Sequence, residues 1–388
     1  MISSQHSHLG VSSALVRSVN LASVLQHVMR HPGMSRADVA VAMGVTRSTV
    51  SRLVDDLVAG GFLSEGVPIS GARGRPATPL YPARNTFVAM GCEINVDRAV
   101  CMVVDLGGDV VAERIVTIEA TKLGADGALK RLAQLRAELE AELPASVRLV
   151  GTHLAVPALV DTAERRVLRA PNLGWHDVPV ADMGVSNDID CAALSLLESS
   201  PMKPDNSTFL YVSGEVGVGA AVCIDGTVRG GRHGWANELG HVTVQADGPQ
   251  CGCGAQGCLE AFAGKRAMLN RAGVDSVADL VTALESGDEK AEQTVAQVGW
   301  ALGIALSSAM NLLDVSRILL GGHLAPLFEW LKPAIEKETS TRVLWARLAD
   351  VQIERVDESP RRTAYGAAWA EILEAVADPA RFLEETSA

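Results

Sequence analysis

Three thiols fall within eight residues, at Cys251, Cys253 and Cys258 in the run CGCGAQGCLE, and a carboxylate, Glu260, follows closely. Thiols so spaced can act as nucleophiles, hold a soft metal, or simply line a turn. The other four cysteines, Cys92, Cys101, Cys191 and Cys223, stand singly in apolar segments, where a reduced thiol packs as a small hydrophobe. An odd total of seven in a chain of 388 residues does not read as a disulfide framework, so the cluster points to metal.

A second set of reactive types lies near the N-terminus, in TRSTVSRLVDDLVAGG at 46–61. Val50, Leu53, Val54 and Leu57 repeat at helical spacing and predict a core face. Thr46, Arg47, Ser48, Thr49, Ser51 and Arg52 carry short hydroxyls and guanidinium groups, which contact phosphates and base edges when a helix enters the major groove. The elements that position them are legible too. A helix is expected over Leu21–Met29, and a second starts at Ser35, where Asp38 completes a near capping box and Gly44 supplies a left-handed stop. FLSEGVPISGARGRPATPLY then reads as two strands around a Gly/Arg tip bearing Arg73 and Arg75; with Arg36 these extend a basic face. Helix, Gly turn, helix and hairpin make a winged helix-turn-helix over 1–82, and DNA is the expected partner.

Charge supports two jobs. Residues 1–80 hold seven arginines and four acids, net +3, within a chain of net charge −12, which leaves −15 on the remainder. No uninterrupted apolar run approaches the roughly 20 residues of a membrane span, and the start lacks a signal-peptide pattern, so a cytoplasmic location without membrane partners is expected. From residue 83 onward, strand-like runs such as FVAMGCEI and SRILLGG alternate with helices such as GWALGIALSSAMNLL, which predicts an α/β body. No short internal repeat is visible.

GEVGVGAAVCIDGTVRGGRHGWANELGHVTV followed by CGCGAQGCLE closely resembles the signature region of the ROK family of repressors and sugar kinases. APNLGW at 170–175 and SNDIDCAAL at 186–194 fall in the same order and spacing as that family's sugar-site segments. Together with the winged helix, the chain looks like a sugar-responsive repressor of the xylose or N-acetylglucosamine repressor type. The resemblance implies an actin-like body over 83–388, with lobe one at about 83–185 plus a C-terminal helix and lobe two at about 186–360.

It also implies site residues. His241 in ELGH would join Cys251, Cys253 and Cys258 as a Cys₃His set for structural Zn²⁺, with no open coordination position. Sugar ligands carried over are Asn172, Asn187, Asp188, Glu238, His241 and Glu260, with Ala158 narrowing one wall. The family's kinases favour Asp-x-Gly-Gly-Thr-Lys at the first phosphate loop, where this chain has Glu93-Ile94-Asn95-Val96-Asp97-Arg98. At the second loop, Gly-Thr-Gly is replaced around Glu215, and both Asp97 and Glu215 are expected to repel phosphates. The expectation is a non-enzymatic dimer or tetramer that reads a sugar or sugar phosphate and binds an operator; the alternative is an ATP-dependent sugar kinase with a DNA-binding domain.

Overall fold

A computed structural model of the chain describes residues 13–69, 77–180, 182–199, 207–357 and 359–384. The first unit comprises α1 (Ser13–Arg30), α2 (Arg36–Met43), α3 (Arg47–Ala59) and the antiparallel pair β1 (Leu63–Glu65) and β2 (Leu80–Pro82). Helix α1 begins earlier than its apolar periodicity suggested. The capping box at α2 is complete, since Ser35 Oγ accepts from the Asp38 N–H at 3.3 Å and the Ser35 N–H donates to Asp38 Oδ2 at 2.9 Å. Gly44 ends that helix at φ 66°, a conformation that costs glycine nothing. Thr46 caps α3, whose buried face is Val50, Leu53, Val54 and Leu57 as its spacing predicts.

The body contains β3 (Phe87–Ile94), β4 (Arg98–Asp105), β5 (Val110–Thr117), α4 (Ala120–Glu142), β6 (Arg148–Val156), β7 (Leu159–Asp161), β8 (Arg166–Ala170), β9 (Trp175–Pro179) and β10 (Gly184–Asn187). Next come α5 (Asp188–Ser199), β11 (Phe209–Ser213), β12 (Gly219–Ile224) and β13 (Thr227–Val228), then α6 (Glu260–Ala263), α7 (Lys265–Ala272), α8 (Val277–Glu285) and α9 (Glu289–Leu313). The chain closes with β14 (Arg317–Leu320), α10 (Phe328–Arg342), β15 (Gln352–Arg355), α11 (Arg362–Ala377) and α12 (Ala380–Glu384).

One five-stranded sheet runs β10-β6-β3-β4-β5 and the other β15-β14-β11-β12-β13. In both, three antiparallel strands are followed by two added in parallel. The chain therefore repeats one topology, although no repeat is visible in its residues: hydrogen-bonding order survives without residue identity. Two such lobes with a cleft between them form an actin-like α/β body, as the sequence led us to expect.

Helices α5 and α11 lie between the sheets and touch each other. Gly366 permits that contact, since a Cβ there would sit 1.7 Å from the Cys191 carbonyl oxygen; Gly91 does the same beneath α11, where a Cβ would lie 1.8 Å from the Ala364 oxygen. Cys92 and Cys101, expected as isolated thiols, face each other across β3 and β4 with their sulfurs 3.3 Å apart. Among the described residues, α9 is the one helix long and apolar enough to cross a membrane. Its Val295, Val298, Leu302 and Leu306 are instead buried in the lobe-two core.

The winged helix does not hang on a linker. Leu21, Val24, Leu25, Leu57 and Phe62 share one core with Phe87, Ala89, Ala364, Ala368 and Ile372 of lobe one. Phe62 stacks on Phe87 at 4.3 Å between ring centroids, and Phe382 meets both rings edge-on. Burial of this kind is worth about 2 kcal/mol per large side chain, so the winged helix is held against the body by several such increments.

Candidate functional site

On α3, Arg47, Ser48 and Arg52 are exposed, Thr49 and Ser51 are half-buried, and the helix end is free of acids in its first turn. Thr46 Oγ1 lies 3.0 Å from Ser48 Oγ and 2.8 Å from Thr49 Oγ1, so the hydroxyls cluster at the helix N-terminus, where anions are favoured. Arg36 departs from the expected role on this face. Its Nη1 donates to Asp55 Oδ1 at 2.6 Å and to the Ser51 carbonyl at 3.0 Å, and its Nη2 reaches Glu65 Oε1 at 3.0 Å. It ties α2 to α3 and β1. Arg73 and Arg75 fall outside the described residues.

The four expected metal ligands converge. One ligand atom from each of His241, Cys251, Cys253 and Cys258 lies within 4.8 Å of all the others. The Cys253 and Cys258 sulfurs are 3.8 Å apart, and Cys251 Sγ is 3.9 Å from His241 Nδ1. Sulfurs bound tetrahedrally at about 2.3 Å from zinc would be about 3.8 Å apart, so the donor set and spacing fit a tetrahedral thiophilic metal. Gly254 at φ 99° and Gly257 at φ 74° bend the loop between the thiols.

The cluster adjoins the carboxylates. His241 Nε2, the ring nitrogen not facing Cys251, is 3.9 Å from Glu238 Oε2. Burial raises the Glu238 pKa, against the pull of His241 and with a further push from the Glu260 charge. Glu260 is fixed by the Val218 N–H, which donates to Oε2 at 3.2 Å, and Gly217 leaves it room, since a Cβ there would lie 2.0 Å from that oxygen. Asp188 opens α5, and burial, with the Glu93 and Glu215 charges, lifts its pKa to about 7. Asn187 is partly committed inward: Oδ1 accepts from the Ile189 N–H at 2.8 Å and Nδ2 donates to the Ala158 carbonyl at 3.2 Å. Asn172 is exposed on the turn between β8 and β9.

Sequence reasoning missed Trp235 and the state of the phosphate end of the cleft. Trp235 Nε1 donates to the Val160 carbonyl at 2.9 Å, and its ring stacks on His233, so the glycine-rich loop of lobe two is tied to lobe one. The cleft itself encloses about 640 Å³ and is bordered by Asn95, Arg98, Asp188, Glu215 and His323. There Arg98 Nη1 donates to Glu215 Oε2 at 2.8 Å and Nη2 to Glu93 Oε1 at 2.7 Å, while Asn95 Nδ2 adds a 2.9 Å bond to Glu215 Oε2. The expected repulsion by Asp97 and Glu215 is thus replaced by pairing. Glu215 is neutralised by Arg98, and Asp97 is exposed, 3.5 Å from the same guanidinium. The opposite signs of Arg98, at the family's lysine position, and of Glu215, in the second loop, were the available signal.

A duplicated actin-like body with a cleft between its lobes and a winged helix packed against it defines a class that joins a two-lobed domain to a DNA-binding unit. The ROK family model matches residues 89–372 and a MarR family model matches residues 22–73. The chain belongs to the ROK family. It is 26% identical to the N-acetylglucosamine repressor of Escherichia coli O6:H1, over 91% of this chain and 92% of that protein. The crystal structure of a ROK family transcriptional regulator, a homologue of the E. coli MLC protein, superposes with TM-score 0.82 at 24% identity, covering 95% of this chain and 99% of that one. The ROK hexokinase of Thermus thermophilus matches with TM-score 0.63 at 26% identity, covering 74% of this chain and 99% of the other.

Proposed function

We propose that the protein is a sugar-responsive DNA-binding transcriptional regulator, a repressor of genes for carbohydrate uptake or catabolism, and not an enzyme. Residues 1–82 bind an operator and residues 83–388 read a sugar or sugar phosphate. The observation that carries this reading is the pairing of Arg98 with Glu215 across a cleft that Asp188 also lines, with Glu260 held beside Gly217 and Val218. Phosphoryl transfer depends on positioned donors and metal around the phosphates, and a salt bridge in their place leaves recognition without transfer. Asp188 then accepts from a sugar hydroxyl instead of deprotonating it for attack.

His241, Cys251, Cys253 and Cys258 would hold zinc in a structural role, and the crosslink it supplies when bound would restrain the His241 ring and the Cys258–Glu260 segment beside the sugar. Paired copies of the chain place two α3 helices on half-sites about one helical turn apart. Sugar binding shifts the population between lobe arrangements and so between operator affinities.

Labelled DNA from the protein's own gene neighbourhood, titrated with and without free and phosphorylated sugars, tests this. A specific complex whose affinity changes with one sugar is expected; absence of any specific complex overturns it. ADP release on a hexose panel addresses the kinase reading, and turnover of even about 1 per second would favour that enzyme class instead.

A further inference from the structure

A polar chain centred on a buried histidine, with half-buried partners at both ends, joins the sugar-site segment to the helix that carries the DNA-binding unit. His153 on β6 is 4% exposed; its Nε2 lies 2.9 Å from Ser186 Oγ, and its Nδ1 lies 3.0 Å from Glu371 Oε1. Ser186 immediately precedes Asn187 and Asp188. Glu371 is on α11, whose Ala364, Ala368, Ile372 and Val376 share a core with α1 and α3.

Two glycines make room for it. A Cβ at Gly151 would lie 2.0 Å from Glu371 Oε2, and one at Gly184 would lie 2.3 Å from His153 Nδ1 and 2.6 Å from Glu371 Oε1. Gly184 is the residue paired with His153 in the parallel β6–β10 register. A chain of three polar side chains, admitted by two missing methyl groups on β6 and β10, is not a packing filler. A Glu371 carboxylate accepts from Nδ1–H, which leaves Nε2 to the Ser186 hydroxyl, a group able to donate or accept. The His153–Glu371 pair borders a cavity of about 460 Å³ that also meets Arg381 and Phe382.

We propose that His153 is a positioning residue that couples the sugar site to the DNA-binding unit, an inference that rests on the regulator reading above. Ligand engaging Asn187 and Asp188 displaces Ser186. The imidazole must follow or lose its buried partner, and Glu371 carries that change to α11. The coupling then resides in one hydrogen-bonded chain with two arrangements.

The experiment measures the operator Kd with and without saturating sugar for the full-length protein, using D-xylose, D-glucose and N-acetylglucosamine as probes. The variants are Ser186→Ala, His153→Gln and Glu371→Gln. In each, sugar affinity alone and operator affinity alone stay within about 3-fold of wild type, while the ratio of the two operator Kd values falls at least about 5-fold toward 1. Ser186→Ala removes only a hydroxyl and keeps the test open if His153→Gln fails to fold. The Ser186→Ala/Glu371→Gln double variant loses no more coupling than either single one. Variants that bind both ligands with wild-type coupling overturn this inference alone. A wild type whose operator affinity no sugar alters overturns the regulator reading and this inference with it.

Discussion

Arg98 Nη1 of lobe one stands 2.8 Å from Glu215 Oε2 of lobe two, spanning the cleft between them. Glu93, 1% exposed, shares the same guanidinium through Oε1, and its Oε2 is buried without a hydrogen-bond partner. Arg98→Met therefore leaves a buried carboxylate without its cation. The expected cost is about 3 kcal/mol in urea unfolding, the range for breaking a buried pair. Glu215→Gln, at a more exposed position, should cost about 1 kcal/mol or less. Neither variant should bind MgATP by calorimetry, because Asn95 and Val96 still occupy the positions of the loop glycines; tight MgATP binding by Glu215→Gln would mean that this pair alone closes the site.

The local devices of this chain were legible and its long-range ones were not. Ser35 with Asp38, Gly44 and Thr46 act within four residues, so spacing suffices to read them. The metal quartet was found through family spacing, because His241 and Cys258 are still close in sequence. By contrast, Arg98 and Glu215 are 117 residues apart, and His153 and Glu371 are 218 apart. Their meeting depends on how two sheets and α11 stack, which no periodicity records. The same holds for Phe382 closing the Phe62–Phe87 stack, where a C-terminal ring completes an N-terminal core. Arg36 shows the converse limit: its type fitted DNA, and only the positions of Asp55 and Glu65 reveal its use.

Stability should fall as pH rises toward neutrality. Burial lifts Glu93 to about 7, opposed by Arg98 and aided by the Glu215 charge, and Asp188 is lifted to about 7 with Glu93 among the causes. Both folded pKa values lie above their unfolded ones, so the native state binds more protons between about pH 4 and 7. The associated stability is present in full below the unfolded values and is lost as pH passes through about 7. The two acids interact, so they titrate as a pair. For Glu93 alone, the shift from 4.5 to about 7 corresponds to about 3 kcal/mol. Urea melts of Glu93→Gln between pH 5 and 8 should show a flatter profile than wild type; an unchanged slope would assign the effect elsewhere.

Arginines in the winged helix should separate by assay. Arg36→Ala removes two ion pairs and the bond to the Ser51 carbonyl, so it should destabilise the winged helix by about 1 kcal/mol with the salt dependence of DNA binding unchanged. Arg47→Ala and Arg52→Ala leave exposed positions on α3. Each should weaken operator binding uniformly across sequences and reduce the slope of log K against log salt by about 1. Anisotropy titrations at several salt concentrations read both quantities. An Arg36 variant with the full fold and a reduced slope would return that residue to the DNA face.

Metal loss should act on the sugar site through the backbone. The Leu259 N–H donates to the Val242 carbonyl at 2.9 Å, Thr243 bridges Cys258, and Glu260 begins α6 directly after this crossing. A metal holding Cys258 against His241 would therefore fix both ends of the segment that carries Glu238 and Glu260. Cys253 is exposed, so Cys253→Ser removes a ligand without opening a core cavity. Elemental analysis should find about one zinc per wild-type chain and a near-stoichiometric loss in the variant, since a three-ligand site binds far more weakly. Sugar affinity should drop about 10-fold or more as Glu260 leaves the Val218 N–H, the size of effect that follows when a ligand's support is removed. The shared Phe62–Phe87–Phe382 core lies outside this loop, so operator binding without sugar should persist. Zinc loss with unchanged sugar affinity would reduce the quartet to a fold-stabilising clip and remove it from recognition.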